Sequence, residues 1–226
     1  LGISIAAATA TDTAGNSALA SGASTTFTAD NTAPTVNIGA PSASLTRAGP
    51  ITFTVTYSGA DSVTLATGNV TLNKTGTANG TVGVSGTGTA TRTVTISSIT
   101  GNGTLGISID AVTATDTAGN SAPAAGPSTA FAVDNTGPSA PLVTGTTPTN
   151  DTTPTWNWTS GGGGGNGTYR YQLDSEAGTW TTTTNTTWTP GTAVTAVAHT
   201  LYVQERDAAG NWSVSGSLAI TVDTTA

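Results

Sequence analysis

Six of the twelve acidic residues in this 226-residue chain fall at two recurring positions. Asp12, Asp116 and Asp207 each open a D-x-A-G-N turn, and Asp30, Asp134 and Asp223 each end a segment of alternating apolar residues. Clustered carboxylates repel one another unless a cation or a proton intervenes. Calcium suits such a set, because it takes about six to eight oxygens from carboxylates, amides, backbone carbonyls and water. The same residues also have a plainer use. Asp and Asn close tight turns through hydrogen bonds to their own backbone, and Gly supplies a positive φ. No dense D-x-D-x-D loop decides between the two readings.

Other chemistry has little to work with. The single histidine, His199, is expected at a solvated strand end, and there is no cysteine. No G-x-S-x-G elbow supports a serine nucleophile. The glycine run 161–165 lacks the Lys-Ser/Thr ending of a phosphate loop and reads as a flexible loop. Catalytic residues are therefore not expected. All five tryptophans (156, 158, 180, 188 and 212) lie in the last third. Trp156/Trp158 and Tyr169/Tyr171 alternate at period two, as core-facing pairs do. Trp188 and Trp212 stand near turns and are the candidates for an exposed platform, such as a glycan-binding one.

These residues are positioned by a repeat. Residues 1–36 recur at 105–140 with 25 of 36 identities, a period of 104 residues, and a looser copy runs from His199 to the end. Between the copies apolar residues alternate strictly: Ile51, Phe53, Val55 and Tyr57 are interleaved with threonines, and Val94/Ile96 and Leu105/Ile107/Ile109 follow. Short alternating segments with Gly/Asn/Ser turns over roughly 100 residues give an antiparallel sandwich, and nothing reads as a helix. The 53 threonines favour the pleated backbone through their β-branch and keep its outer face wet. We expect an all-β chain of tandem sandwiches. Residues 1–34 carry the last two strands of a partial repeat, Leu1 to about Thr11 and Thr25 to Asp30; 35–138 form a complete repeat, and 139–226 a divergent, Trp-rich one. The Asp-Asn-Thr-Ala/Gly-Pro connections are short and Pro-ended, which makes stiff hinges.

Charge narrows the partners. The net charge is −7, and the five basic residues are scattered singly. No basic stripe exists to neutralise phosphates, which excludes nucleic acid and anionic membrane surfaces. No apolar run reaches the roughly 18–20 residues of a membrane-spanning helix. The missing initiator methionine fits a processed or excised fragment.

The segments VTYSGADSVTL (Val55–Leu65), TATDTAGNSA (Thr113–Ala122), VDNTGP (Val133–Pro138), YRYQLD and RDAAGNWS resemble the bacterial immunoglobulin-like repeats of giant surface proteins and adhesins. The resemblance spans essentially the whole chain. It implies an exported, extracellular or cell-surface protein in which such modules form a stalk. In such a sandwich the last strand ends at the pole that joins the next module, and the turn between the last two strands lies at the receiving pole. Asp30 and Asn31 are thus expected near Asp116, Asn120 and Asp61, and Asp134 and Asn135 near Asp207 and Asn211. Calcium clamps at these junctions and simple turn formers both remain open. The expected partners are neighbouring repeats of the same or an adjacent chain, with a host-cell, glycan or other surface ligand for the parent protein. Two strands alone are marginal in water. Residues 1–34 therefore need other strands, and a filament assembled by strand addition is the main alternative.

Overall fold

The computed structural model describes residues 1–225. From residue 35 to 133 the chain runs through β1 (Thr35–Ile38), β2 (Leu45–Thr46), β3 (Ile51–Ser58), β4 (Ser62–Val63), β5 (Val70–Lys74), β6 (Asn79–Ser85), β7 (Thr91–Thr100), β8 (Gly103–Ile109), β9 (Ala114–Thr115) and β10 (Phe131–Val133). One sheet has the order β1-β3-β7-β6 and the facing sheet β2-β10-β8-β5. All pairings within them are antiparallel except β2 with β10. This four-on-four arrangement, in which the first strand is split between the sheets, is an immunoglobulin-like sandwich. A single-turn 3-10 helix, Thr67–Asn69, interrupts the strands.

Alternation produces the layers. Ile51, Phe53, Val55 and Tyr57 face inward from β3, where they meet Val94 and Ile96 of β7 and Leu105, Ile107, Ile109 and Phe131 of the facing sheet. Phe53 and Phe131 lie across the sandwich with ring centroids 6.2 Å apart. On the outer face the same register sets Thr52 opposite Thr95, Thr54 opposite Thr93 and Thr56 opposite Thr91. Cross-strand threonine pairs support the ladder while leaving that face polar.

The last third contains β11 (Leu142–Thr144), β12 (Trp156–Thr159), β13 (Gly165–Leu173), β14 (Thr181–Thr183), β15 (Thr187–Trp188), β16 (Ala198–Asp207) and β17 (Gly216–Thr221). Its sheets are β11-β12-β15 and β14-β13-β16-β17. The difference from the preceding sandwich lies in one strand. There β6 crosses over to pair with β7, whereas β14 stays in its own sheet and pairs with β13. A separate core forms here from Val143, Trp156, Trp158, Tyr169, Leu201, Val203 and Ile220. The expected core pairing of Trp156/Trp158 with Tyr169/Tyr171 is present, with Trp158 6.1 Å from Tyr169 and 6.0 Å from Tyr171.

Two expectations are corrected. The glycine run 161–165 is not a free loop: Ser139 N–H donates to the Gly162 carbonyl over 3.1 Å, and a Cβ at Gly161 would lie 2.1 Å from the Ala140 carbonyl oxygen. Close backbone approach, rather than flexibility, requires glycine there. Residues 1–30 do not form two continuous strands. They make a hairpin tied by isolated bridges, Ile5 to Ser21 and Thr11 to Ser17, and all their side chains are exposed. A backbone kink at Ala8 (φ 61°) breaks the ladder.

Because every tryptophan lies beyond residue 155, fluorescence reports on the second core alone. Phe53→Ala should destabilise the first core by about 3–5 kcal/mol. Differential scanning calorimetry should then show one transition moving down while the fluorescence-detected transition stays in place.

Candidate functional site

The D-x-A-G-N turn is built on one plan three times, the asparagine N–H and Nδ2 both donating to the aspartate four residues earlier. Asp12 Oδ1 accepts from the Ala14 and Asn16 N–H groups, each over 2.9 Å, and Asp12 Oδ2 accepts from Asn16 Nδ2 over 2.9 Å. Asp116 accepts from Asn120 N–H and Nδ2, both over 2.8 Å. Asp207 accepts from the Gly210 and Asn211 N–H groups over 2.6 and 2.8 Å, and from Asn211 Nδ2 over 2.9 Å. Glycines at positive φ (86°, 89° and 96° at Gly15, Gly119 and Gly210) turn the chain back in each copy. The carboxylates are thereby held as anions. The Asn16 and Asn120 side chains hold Asp12 and Asp116 below the usual carboxylate range. At Asp207 burial pushes upward, but the Asn211, Gly210 and Ala209 donors outweigh it and the net direction is down.

The second hydrogen of the turn amide reaches backward along the chain. Asn120 Nδ2 donates to the carbonyl of Asp30 over 3.0 Å, and Asn211 Nδ2 donates to the carbonyl of Asp134 over 2.9 Å. The junction residues sequence position singles out therefore meet, but through an amide and a backbone carbonyl. The Asp30 and Asp134 carboxylates cap their own linkers, at Thr32 N–H and Thr136 N–H, each over 2.9 Å. Asn135 faces the preceding sandwich: its N–H donates to Asn102 Oδ1 over 2.6 Å and its Nδ2 to the Gly101 carbonyl over 2.7 Å. Asp61 Oδ2 accepts from Thr117 N–H and Oγ1 over 2.8 and 2.6 Å. Asn31 makes no side-chain hydrogen bond among the described residues and is exposed. At the second junction Gly137 lets the linker lie against the last sandwich, where a Cβ would come 2.4 Å from the Trp212 carbonyl oxygen.

Calcium needs outward-facing oxygens, and the two junctions differ in supplying them. Asp30, Asp61 and Asp116 line one groove of about 360 Å³ at the first junction, together with Thr32 and Thr117. At the second junction Asp207 is 5% exposed and its oxygens already accept three hydrogen bonds. Among the described residues no three His, Cys, Asp or Glu side chains gather as a metal-binding group. The first junction thus gathers three aspartates around a groove, while the second holds its turn aspartate in hydrogen bonds.

The aromatic candidates are half-buried. Trp188 stacks 5.7 Å from Trp156 and 5.3 Å from Tyr171. Trp212 lies under the guanidinium groups of Arg170 and Arg206, at 4.5 and 5.8 Å, and Arg170 also covers Trp180 at 4.7 Å. Cation–π stacking of this kind pins the outer face of a sheet. His199 is not a solvated strand end. It is buried, with Nδ1 2.7 Å from Asp174 Oδ2 and Nε2 3.1 Å from both the carbonyl and the hydroxyl of Thr195. Sequence reading missed Asp174 because the pair is 25 residues apart, and only the hairpin register brings it to β16. It also missed Glu205, which is 1% exposed and accepts from Ser160 Oγ over 2.6 Å and Gly167 N–H over 3.2 Å.

No family model and no curated protein matches the chain. Among solved structures it is similar to domains A168-A170 of titin, at 14% identity and a TM-score of 0.44, covering 85% of this chain and 67% of that one. It is also similar to the fibronectin(III)-like modules of CbhA from Clostridium thermocellum, at 17% identity and a TM-score of 0.36, covering 83% and 94%. The strand orders themselves define the class: an all-β chain of tandem immunoglobulin-like sandwiches. Among the described residues no helix is long and apolar enough to cross a membrane.

Two pH responses follow. The Asp174 carboxylate raises the pKa of His199, so its contribution is full below the ordinary histidine value and is lost as pH rises through the raised one. Thermal melts followed by tryptophan fluorescence should show the last sandwich less stable at pH 9 than at pH 6, and His199→Gln should flatten that slope. The depressed Asp116 and Asp207 act in the opposite sense. Their contribution is present above the ordinary aspartate value of about 3.9 and is lost as pH falls through the lower folded value. Calorimetric melting points should therefore fall on acidification below about pH 4, and that of the first sandwich less so in Asp116→Asn, whose turn has no carboxylate left to protonate.

Proposed function

We propose that this chain is a spacer region of an exported bacterial surface protein, an adhesin stalk or extracellular scaffold. In this reading length and stiffness do the work and no residue is catalytic. The observation that carries the proposal is the latch that occurs at both junctions. In each, an asparagine held inside its own turn by an aspartate donates to the carbonyl at the end of the preceding repeat, over 3.0 and 2.9 Å. A contact made twice with the same residues at the same repeat positions belongs to the way repeats join. The second linker is held from both sides, by Asn102 behind it and Asn211 ahead. The only histidine is committed to Asp174 and Thr195, which leaves it no reacting partner. The resemblance to bacterial immunoglobulin-like repeats supports the exported setting.

Asn211→Ala tests this reading. It removes the bond to Asp134 and leaves the buried Asp207 short of a donor, at a cost of about 1–3 kcal/mol. The expected result is a lower fluorescence-detected melting point and a wider spread of inter-sandwich distances in small-angle X-ray scattering. An unchanged scattering profile would contradict the latch. The same melts with millimolar calcium and with chelator separate a latch from an ion clamp. The latch predicts equal melting points, whereas a calcium-dependent rise abolished by Asp134→Ala with Asp207→Ala would establish the clamp.

A further inference from the structure

The last sandwich carries a side-chain array that its turn does not need. One backbone bridge closes each D-x-A-G-N turn, joining Thr11 to Ser17, Thr115 to Ser121 and Arg206 to Trp212. Two copies of the turn thus close with a threonine and a serine, and only the third has an arginine and a tryptophan there. Strand register extends that pair across the sheet. Thr168 lies opposite Arg206 and Arg170 opposite Gln204, with Thr182 beside Arg170 and Ser217 beside Tyr202. These residues share the outer face, since Tyr169, Leu201 and Val203 of the same strands fill the core. Trp180, Arg170, Trp212 and Arg206 then follow one another, with guanidinium-to-ring distances of 4.7, 4.5 and 5.8 Å.

Stacking covers the faces of the guanidinium groups and leaves their edges for hydrogen bonds. Arg170 gives Nε and Nη2 to Gln204 Oε1, and Gln204 is oriented in turn by Nε2 donating to Ser215 Oγ over 3.0 Å. The Nη1 group of Arg170 has no acceptor among the described residues, and Arg206 is exposed with no side-chain hydrogen bond among them. The one ion pair among the described residues is His199 with Asp174, so neither arginine has a carboxylate partner. On a chain of net charge −7, two of the five basic residues are therefore gathered on one indole ring and left unpaired.

We propose that this face binds an acidic polysaccharide, whose uronic-acid carboxylates meet the open edges of Arg170 and Arg206. Stacking fixes the guanidinium planes, which is what forked recognition of the two carboxylate oxygens requires. Charge density selects the polymer. Duplex nucleic acid bears one charge per about 1.7 Å and calls for a basic stripe. Two cations on an acidic chain fit carboxylates spaced a sugar or more apart. A peptide would be read along a sheet edge or in an apolar groove. This site instead lies on the two central strands of its sheet, bordered by the hydroxyls of Thr168, Thr182 and Ser217, which suit the hydroxyls of a sugar. The site stands apart from the junction latches and does not depend on them.

The test titrates the full chain at low salt with hexamers of galacturonate and of mannuronate, read by isothermal calorimetry and tryptophan fluorescence. Saturable binding of at least one hexamer is expected. It should weaken about tenfold or more in Arg206→Gln, and likewise in Arg170→Lys, which keeps the charge but loses the fork. Because Arg206 is exposed, its variant should melt like the native chain, which separates lost binding from lost folding. Methyl-esterified hexamers should not bind. Failure of both hexamers to bind would overturn the proposal, and so would binding that the two variants leave unchanged. Equal binding of the esterified hexamers would also overturn it, by making the face a platform for neutral sugar. Tighter binding of a glutamate hexapeptide, lost in the same variants, would replace the polysaccharide with an acidic protein segment.

Discussion

The side-chain amide of the turn asparagine has two hydrogens, and the order of the repeats depends on where they go. One returns to the aspartate four residues earlier and closes the turn; the other crosses to the carbonyl that ends the preceding repeat. The first bond fixes the second. Without the aspartate the amide would rotate freely, and ordering it at the junction would cost the entropy of a free side chain. Since the acceptor is backbone, the latch makes no demand on the preceding side chain beyond its place in the chain. That explains how the last sandwich, whose sequence and strand order have diverged, still joins its neighbour in the same way.

The latch is small, and a separately packed core stands on either side of the second one. The first core joins two four-stranded sheets through Phe53 and Phe131. The second is filled by fewer, larger side chains: Trp156, Trp158, Tyr169, Tyr171 and Trp188. Neither has a disulfide, and the outer face of the first is threonine rather than charge. Stability in such a chain comes from β-branched backbones and a dry interior.

Much of this was legible in the sequence. The period of 104 residues, the inward set of β3 and the core roles of Trp156 and Tyr169 all follow from alternation and self-similarity. The meeting of Asp30 with Asn120 and of Asp134 with Asn211 was implied by the resemblance to immunoglobulin-like repeats. The identity of the contact was not legible. Sequence puts the aspartates of two repeats near each other and suggests a cation; what it does not show is the amide that reaches across to a backbone carbonyl. Pairs set by hairpin register, such as Asp174 with His199 and Ser160 with Glu205, carry no local signal. The same is true of Trp212, whose place near a turn suggests exposure until Arg170 and Arg206 are seen to cover it. The hairpin at residues 1–30 has the sequence of strands but is tied here only by isolated bridges.

The most direct measurement of the central claim is a set of backbone residual dipolar couplings from the native chain in one alignment medium, fitted separately for residues 35–133 and 142–222. A latched junction predicts that the two sets share one alignment tensor in magnitude and orientation. Two tensors of clearly different magnitude would mean that the sandwiches reorient independently, and the account of this chain as a stiff repeat array would fail.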